Sequence, residues 1–116
     1  VSLGTDGEVL ARKYLEGKGY ELIKENYRYD RAEIDLIMKD EKGKQLIFVE
    51  VKTRRNKSFG EPQEAVNEPK QLQLIKSAEG FLMNNTNFGD YEKRFDVIAI
   101  YIDNGKEIIN HLENAF

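Results

Sequence analysis

The sequence predicts an α/β domain in which a mixed β-sheet is flanked by helices, in the order αβββαββ. Three observations lead there. Apolar residues at helical spacing open the chain, two strand-like runs flank a turn, and a second helical run precedes two further strands. A hairpin meander followed by a helical crossover joins antiparallel and parallel pairs in one sheet.

The first helix is expected to start at a capping box, with Thr5 three positions before Glu8. Leu10, Ala11, Tyr14 and Leu15 follow at helical spacing, and Gly17 and Gly19 end it. Tyr20 to about Arg28 reads as extended. Glu33 to Lys39 alternates, placing Ile34, Leu36 and Met38 on one face and Glu33, Asp35 and Ile37 on the other. Asp40-Glu41-Lys42-Gly43 turns the chain into a strand from Gln45 to Thr53, with its apolar stretch at Leu46 to Val49.

Phe59-Gly60-Glu61-Pro62 reads as a loop. The second helix begins near Asn67 to Pro69, since proline is tolerated in a first turn. Its expected apolar stripe is Leu72, Ile75, Ala78 and Leu82, and the Asn- and Gly-rich stretch from Asn84 to Asp90 ends it. Arg94 to Ile102 has the apolar character of a sheet interior. Asp103-Asn104-Gly105 turns into a last strand near Ile108 to Leu112.

Composition bounds the function. The 116 residues are 40% hydrophobic and 34% charged, with 18 Lys/Arg against 21 Asp/Glu, a net charge of -3. One domain over residues 1–116 is expected, with enough apolar surface for a core. Cysteine is absent, which excludes disulfides, thiolate metal sites and a cysteine nucleophile. The longest apolar run, Val97 to Ile102, falls far short of the ~20 residues that span a bilayer. No basic-then-apolar segment opens the sequence, so a cytoplasmic domain without a membrane partner is expected. Four of the six residues from Lys52 to Lys57 are basic (Lys52, Arg54, Arg55 and Lys57). Such a strip attracts phosphate even on an acidic protein, although a solvated loop reads the same way.

Glu50 stands out. It follows Leu46-Ile47-Phe48-Val49 directly, and a half-buried carboxylate is costly unless paired or metal-bound. Period two puts Glu50 and Lys52 on one face, and the partner strand supplies Asp35. Two carboxylates on adjacent strands with an amine beside them form a hard-oxygen site that suits Mg²⁺, with Mn²⁺ as its substitute. The simpler reading is a buried Glu50–Lys52 ion pair. Glu-x-Lys is itself a weak signal, since it also occurs at Glu16/Lys18 and Glu68/Lys70.

Ala-Glu-Ile-Asp-Leu-Ile at 32–37 and Phe-Val-Glu-Val-Lys-Thr-Arg at 48–54 resemble the PD-(D/E)XK nuclease superfamily, whose fold is restriction-endonuclease-like. More narrowly, the chain resembles the YraN-like family of predicted endonucleases. The resemblance includes Gly7-Glu8, Tyr14-Leu15, Phe59-Gly60, Pro62, Glu64-Ala65-Val66, Arg94-Phe95-Asp96-Val97 and the closing Asn114-Ala115-Phe116. One departure is Ala32, where the family usually has glycine; alanine fits an extended conformation, so the turn into the strand should survive.

The resemblance implies a Mg²⁺-dependent endonuclease that hydrolyses phosphodiesters, with branched or nicked DNA as candidate substrates. Asp35 and Glu50 would ligate the metal, with the Val51 carbonyl as a further oxygen and Lys52 near the attacking water. Glu8 has two readings. As a capping-box glutamate it bonds back to Thr5. Lying about 20° from Leu15 on the helical wheel, it can also reach toward the sheet, and in the resolvase-like branch a first-helix glutamate joins the metal site. Glu33 shares the strand face of Asp35 and reads as an outer-sphere ligand or an exposed carboxylate.

Arg54, Arg55 and Lys57 would clamp flanking phosphates, which positions a substrate without reading its sequence. Gln71 is the helix-two glutamine to compare with related nucleases, with Gln73 as a competitor. Lys70 reads as a surface or phosphate contact, Asp96 as a structural ion pair with Arg94, and His111 as a packing or surface residue. The expected partner is nucleic acid, DNA ahead of RNA, and a homodimer would suit junction cleavage. The rival expectation is a nucleic-acid-binding module that keeps the nuclease fold without catalysis.

Overall fold

The computed structural model describes residues 3–54 and 66–116. Helix α1 spans Leu3–Gly17, and strands β1, β2 and β3 span Glu21–Tyr29, Ala32–Asp40 and Gln45–Arg54. Helix α2 spans Glu68–Asn84, a 3-10 turn covers Thr86–Phe88, and strands β4 and β5 span Glu92–Asp103 and Lys106–Leu112. The order is αβββαββ, with the short 3-10 turn added before β4. The strands form one sheet in sequence order. The β3–β4 pair is parallel and the other pairs are antiparallel. A parallel pair needs a crossover, and α2 is that crossover.

Each sheet face is covered by one helix. Ala11 and Leu15 of α1 pack on Leu36, Met38, Ile47, Val49, Ile98 and Ile100. On the other face, Leu74, Ala78 and Phe81 of α2 meet Ile37, Leu46, Phe48 and Val97. β3 and β4 are therefore buried on both sides, which is why their sequences run apolar without alternation. Local signals end the elements as expected. Gly19 takes φ +95 where α1 stops, and Tyr20 N donates to the Leu15 carbonyl at 3.1 Å. Asn104 and Gly105, both with positive φ, make the two-residue turn of the last hairpin. β2 begins at Ala32, so alanine does serve at that turn. Among the described residues, no helix is long and apolar enough to cross a membrane.

Three expectations are corrected. The first helix starts at Leu3, so Thr5 lies inside it and not at its N-cap. On α2, Leu72 is 67% exposed; the buried stripe is Leu74, Ser77, Ala78 and Phe81, rotated away from the stripe read from sequence. Ile34 does not share a face with Leu36 and Met38. It packs in the α2-side cluster, just beyond the Leu36–Val49 pair at which β2 parts from β3 while remaining paired to β1. Arg55, Lys57 and the Phe59–Pro62 loop lie outside the described residues.

Candidate active site

The ladder between β2 and β3 ends at the Leu36–Val49 pair. Immediately beyond it, Asp35 Oδ2 accepts the Val51 N–H at 2.7 Å. A side chain has replaced the backbone carbonyl as partner, and the strands part around it. On the far side of β2, Asn26 has φ 53 and lies between the Glu25–Leu36 and Tyr27–Ile34 pairs, opposite Asp35. The N–H and C=O of one strand residue point the same way, so the Val51 carbonyl also faces the gap.

Glu50 and Lys52 reach this gap from β3. The Glu50 side chain is only 5% exposed, and its Oε2 lies 3.9 Å from Lys52 Nζ and 2.6 Å from Lys70 Nζ. Lys70 comes from the first turn of α2, whose N-cap Asn67 accepts the Lys70 backbone N–H at 3.0 Å. From α1, Glu8 comes close enough to Asp35, and Asp35 to Glu50, for each carboxyl to act on the proton affinity of the next. Gly7 permits that approach: a β-carbon there would overlap Thr53 Oγ1 on β3. The Asn26 amide, oriented with its NH₂ toward the acids, lies 3.1 Å from Glu8 Oε1 and 3.2 Å from Glu33 Oε1. Three carboxyls and two ammoniums, from four elements, thus share one half-open site.

The charges are strained in consistent directions. Burial and the neighbouring Glu50 push the Asp35 carboxyl up to about 8, against the pull of the Val51 amide. Burial and the Glu33 charge also raise Glu8. Burial lowers Lys52, with help from the positive charges of Lys70 and Arg54. Lys70 is raised even though burial opposes it, because Glu50 holds its proton. Burial drives the shifts of Asp35, Glu8 and Lys52, with like charge adding to each, whereas Lys70 is held the other way by the opposite charge of Glu50.

These residues fit a divalent cation. Asp35, Glu50 and Glu8 are hard oxygen donors, and Glu50 Oε2 is buried without a well-angled hydrogen bond. A proton on Asp35 is one remedy for the crowding and a cation is the other. A second acidic group, Asp96, His111 and Glu113, brings ligand atoms within 4.8 Å of one another. Its cation is already built in. Arg94 Nη2 lies 2.8 Å from Asp96 Oδ2 and 3.1 Å from Glu113 Oε1. Asp96 also accepts the Asn114 N–H at 3.0 Å and lies 2.6 Å from His111 Nε2. The expected Arg94–Asp96 ion pair is present, and it pins the C-terminal segment to the sheet.

A family model described as "Uncharacterised protein family UPF0102" matches residues 7–100, which include every member of the acidic site. The chain belongs to that family. A UPF0102 protein of Caldanaerobacter subterraneus subsp. tengcongensis is 41% identical, over 99% of this chain and 94% of its own. One from Chlorobium limicola is 49% identical, over 88% of this chain and 77% of its own. One from Chloroherpeton thalassium is 44% identical, over 100% and 94%. Among solved structures, Pyrococcus furiosus SfsA in complex with Ca²⁺ aligns over 92% of this chain and 60% of that one, at 16% identity and a TM-score of 0.33. That likeness is too remote to carry an argument.

In this UPF0102 chain, Asp35, Glu50, Lys52 and Glu8 meet, and Val51 contributes its backbone. Arg54 continues β3, with Nη1 3.2 Å from the Thr53 carbonyl oxygen. Gln71 is half-buried and donates to the Val66 carbonyl at 3.0 Å, bracing the start of α2. Glu33 is exposed and touches the site through Asn26. Sequence reasoning missed Asn26 and undervalued Lys70. The Glu68-Pro69-Lys70 repeat of the Glu-x-Lys pattern was a signal, but its meaning depends on where α2 docks.

Proposed function

We propose that the acidic site is the active centre of a Mg²⁺-dependent endonuclease with a restriction-endonuclease-like, PD-(D/E)XK fold, acting on phosphodiesters of nucleic acid. DNA is the favoured substrate, with branched and nicked forms to be tried first. One observation carries this reading: Asp35 and Glu50, from strands that part at this point, meet within reach of the Lys52 ammonium. The surrounding arrangement supports it, since the amine and the acids face one volume at the end of a rigid sheet.

A bound Mg²⁺ or Mn²⁺ would supply positive charge for the scissile phosphate and acidify a coordinated water. Asp35, Glu50 and the Val51 carbonyl would hold it, with Glu8 as a further carboxylate. The Val51 N–H fixes the Asp35 carboxylate before any ligand arrives, which is the preorganisation that charge stabilisation requires. Lys52 places its ammonium beside the acids, where it can steady the anionic nucleophile and the charge that builds on phosphorus. Its lowered proton affinity suits a group that gives up and regains a proton at Nζ. Arg54, two residues further along the same strand, extends the positive surface toward a neighbouring phosphate.

The test is cleavage of end-labelled linear, nicked and four-way-junction DNA in Mg²⁺, in Mn²⁺ and in EDTA. Cleavage with either metal and none in EDTA is expected, with Glu50→Ala inactive. Inertness of the wild type on all three substrates, together with salt-sensitive and EDTA-indifferent DNA binding, would replace this reading with that of a non-catalytic binding module.

A further inference from the structure

We propose that Lys70 is the resident counter-ion of the acidic site: its ammonium occupies Glu50 until a divalent cation takes its place, so that ion loading and release of Lys70 are one exchange. This rests on the metal-site reading above. Glu50 Oε2 is buried, and of the two ammoniums beside it Lys70 Nζ lies at 2.6 Å and Lys52 Nζ at 3.9 Å. A magnesium ion binds oxygen at about 2.1 Å, so ion and ammonium on the same oxygen would repel each other at very short range. One of them must leave.

Lys70 is the one able to move. Its side chain is 39% exposed on a flexible four-carbon stem, whereas Glu50 is fixed in the sheet and 5% exposed. The backbone need not follow, because Pro69 stiffens the first turn of α2 and the Asn67 cap holds the Lys70 N–H. Lys52 stays, since it approaches the same oxygen from β3 at a longer distance. The device keeps a buried carboxylate paired and aimed without metal, and it weakens metal binding by the work of displacing an ammonium. Once released, the Lys70 ammonium stands at the rim of the site, free to meet an anionic ligand.

Two measurements on the full chain test this. In the first, Mn²⁺ is titrated calorimetrically into the wild type, Lys70→Met and Lys70→Arg. Lys70→Met should bind about tenfold more tightly than the wild type, and Lys70→Arg should resemble the wild type. In the second, which needs no variant to fold, lysine amines of the wild type are acetylated with limiting reagent, with and without Mn²⁺. Labelling of Lys70 Nζ should rise several-fold on adding Mn²⁺ while the exposed Lys13 stays constant. Wild-type Mn²⁺ binding with unchanged Lys70 labelling, or with equal or weaker binding by Lys70→Met, overturns the exchange and leaves the metal site standing. No Mn²⁺ binding by the wild type or either variant overturns the metal site, and the exchange with it.

Discussion

Asp35 Oδ2 takes the Val51 N–H at 2.7 Å, in the place where a continuing ladder would put a backbone carbonyl. The acid therefore does two jobs with opposite electrostatic demands. As a hydrogen-bond acceptor it braces the split between β2 and β3. As a carboxylate beside Glu50 and Glu8 it adds a third negative charge to a crowded site.

The first prediction separates those jobs. Burial and Glu50 raise the folded-state proton affinity of Asp35 to about 8, from an ordinary value of 3.8. Its folded form thus prefers the proton, and its contribution to stability is full below pH 3.8 and is lost as pH rises through about 8. Asp35→Asn keeps an acceptor for Val51 and removes the charge. In EDTA at pH 8 its Tm should exceed that of the wild type by about 4 °C or more, and the gap should close toward pH 4. Mn²⁺ should raise the Tm of the wild type alone. Calorimetric scans across pH measure both effects.

The second prediction concerns the approach of α1. Alanine normally improves a helix interior over glycine by about 1 kcal/mol. At Gly7 the new β-carbon would meet Thr53 Oγ1, so Gly7→Ala should instead destabilise by about 1–3 kcal/mol. Tilting α1 also withdraws Glu8 from Asp35, so Mn²⁺ affinity should fall with stability. Removing the obstructing oxygen in Gly7→Ala/Thr53→Ala should recover most of both losses. A double-mutant cycle in urea, with Mn²⁺ titrations alongside, measures the coupling.

The third prediction concerns the node at the C-terminus. Asp96 is fully buried and receives hydrogen bonds from Arg94 at 2.9 and 2.8 Å. His111 Nδ1 lies 3.1 Å from Lys18 Nζ and its Nε2 lies 2.6 Å from Asp96 Oδ2. Burial alone would raise the proton affinity of Asp96, but His111, Arg94 and the Asn114 amide together lower it. A lowered acid contributes stability above its unfolded value of 3.8 and loses it as pH falls through the folded one. Asp96→Asn should therefore cost about 3–5 kcal/mol in urea unfolding at pH 7, with the deficit shrinking in acid. Mn²⁺ affinity should stay unchanged, because Arg94 already fills this acidic group.

What the sequence made legible follows from how local each signal is. Glu50 was visible because a charge in the apolar run Leu46 to Val51 has few structural excuses, and the alternation tied Lys52 to its face. The Asp103-Asn104-Gly105 turn and the Asn67–Pro69 helix start are encoded by residues in contact with their own neighbours. Ile34 lies beyond the Leu36–Val49 pair, where β2 leaves β3 while still paired to β1, and that split between distant segments is not written in the alternation. Asn26 was missed because a left-handed residue inside a strand leaves no mark on hydrophobic periodicity. Leu72 and Lys70 share one cause: the rotation of α2 about its axis is set by packing of Leu74 and Phe81 on Phe48 and Ile37, a relation between distant segments. Thr5 carried a true capping pattern, yet α1 begins two residues before it.

The last prediction divides the two lysines around Glu50. Both approach the same oxygen, so a simple ion-pair role would make them interchangeable. Their geometry says otherwise. Lys70 takes the close position at 2.6 Å and is raised in proton affinity by Glu50, whereas Lys52 stays at 3.9 Å and is lowered by burial and by its cationic neighbours. Lys52 is thus the less closely paired of the two amines and can act on a substrate. If the site cleaves DNA, Lys52→Ala should reduce kcat by about 10²–10³-fold, the cost of removing one stabiliser of developing charge. It should not weaken Mn²⁺ binding, since a nearby positive charge has been taken away. Single-turnover cleavage beside calorimetric Mn²⁺ titration separates the two effects. A loss of metal affinity that matched the loss of rate would mean that Lys52 holds the acids in place and takes no part in the chemistry.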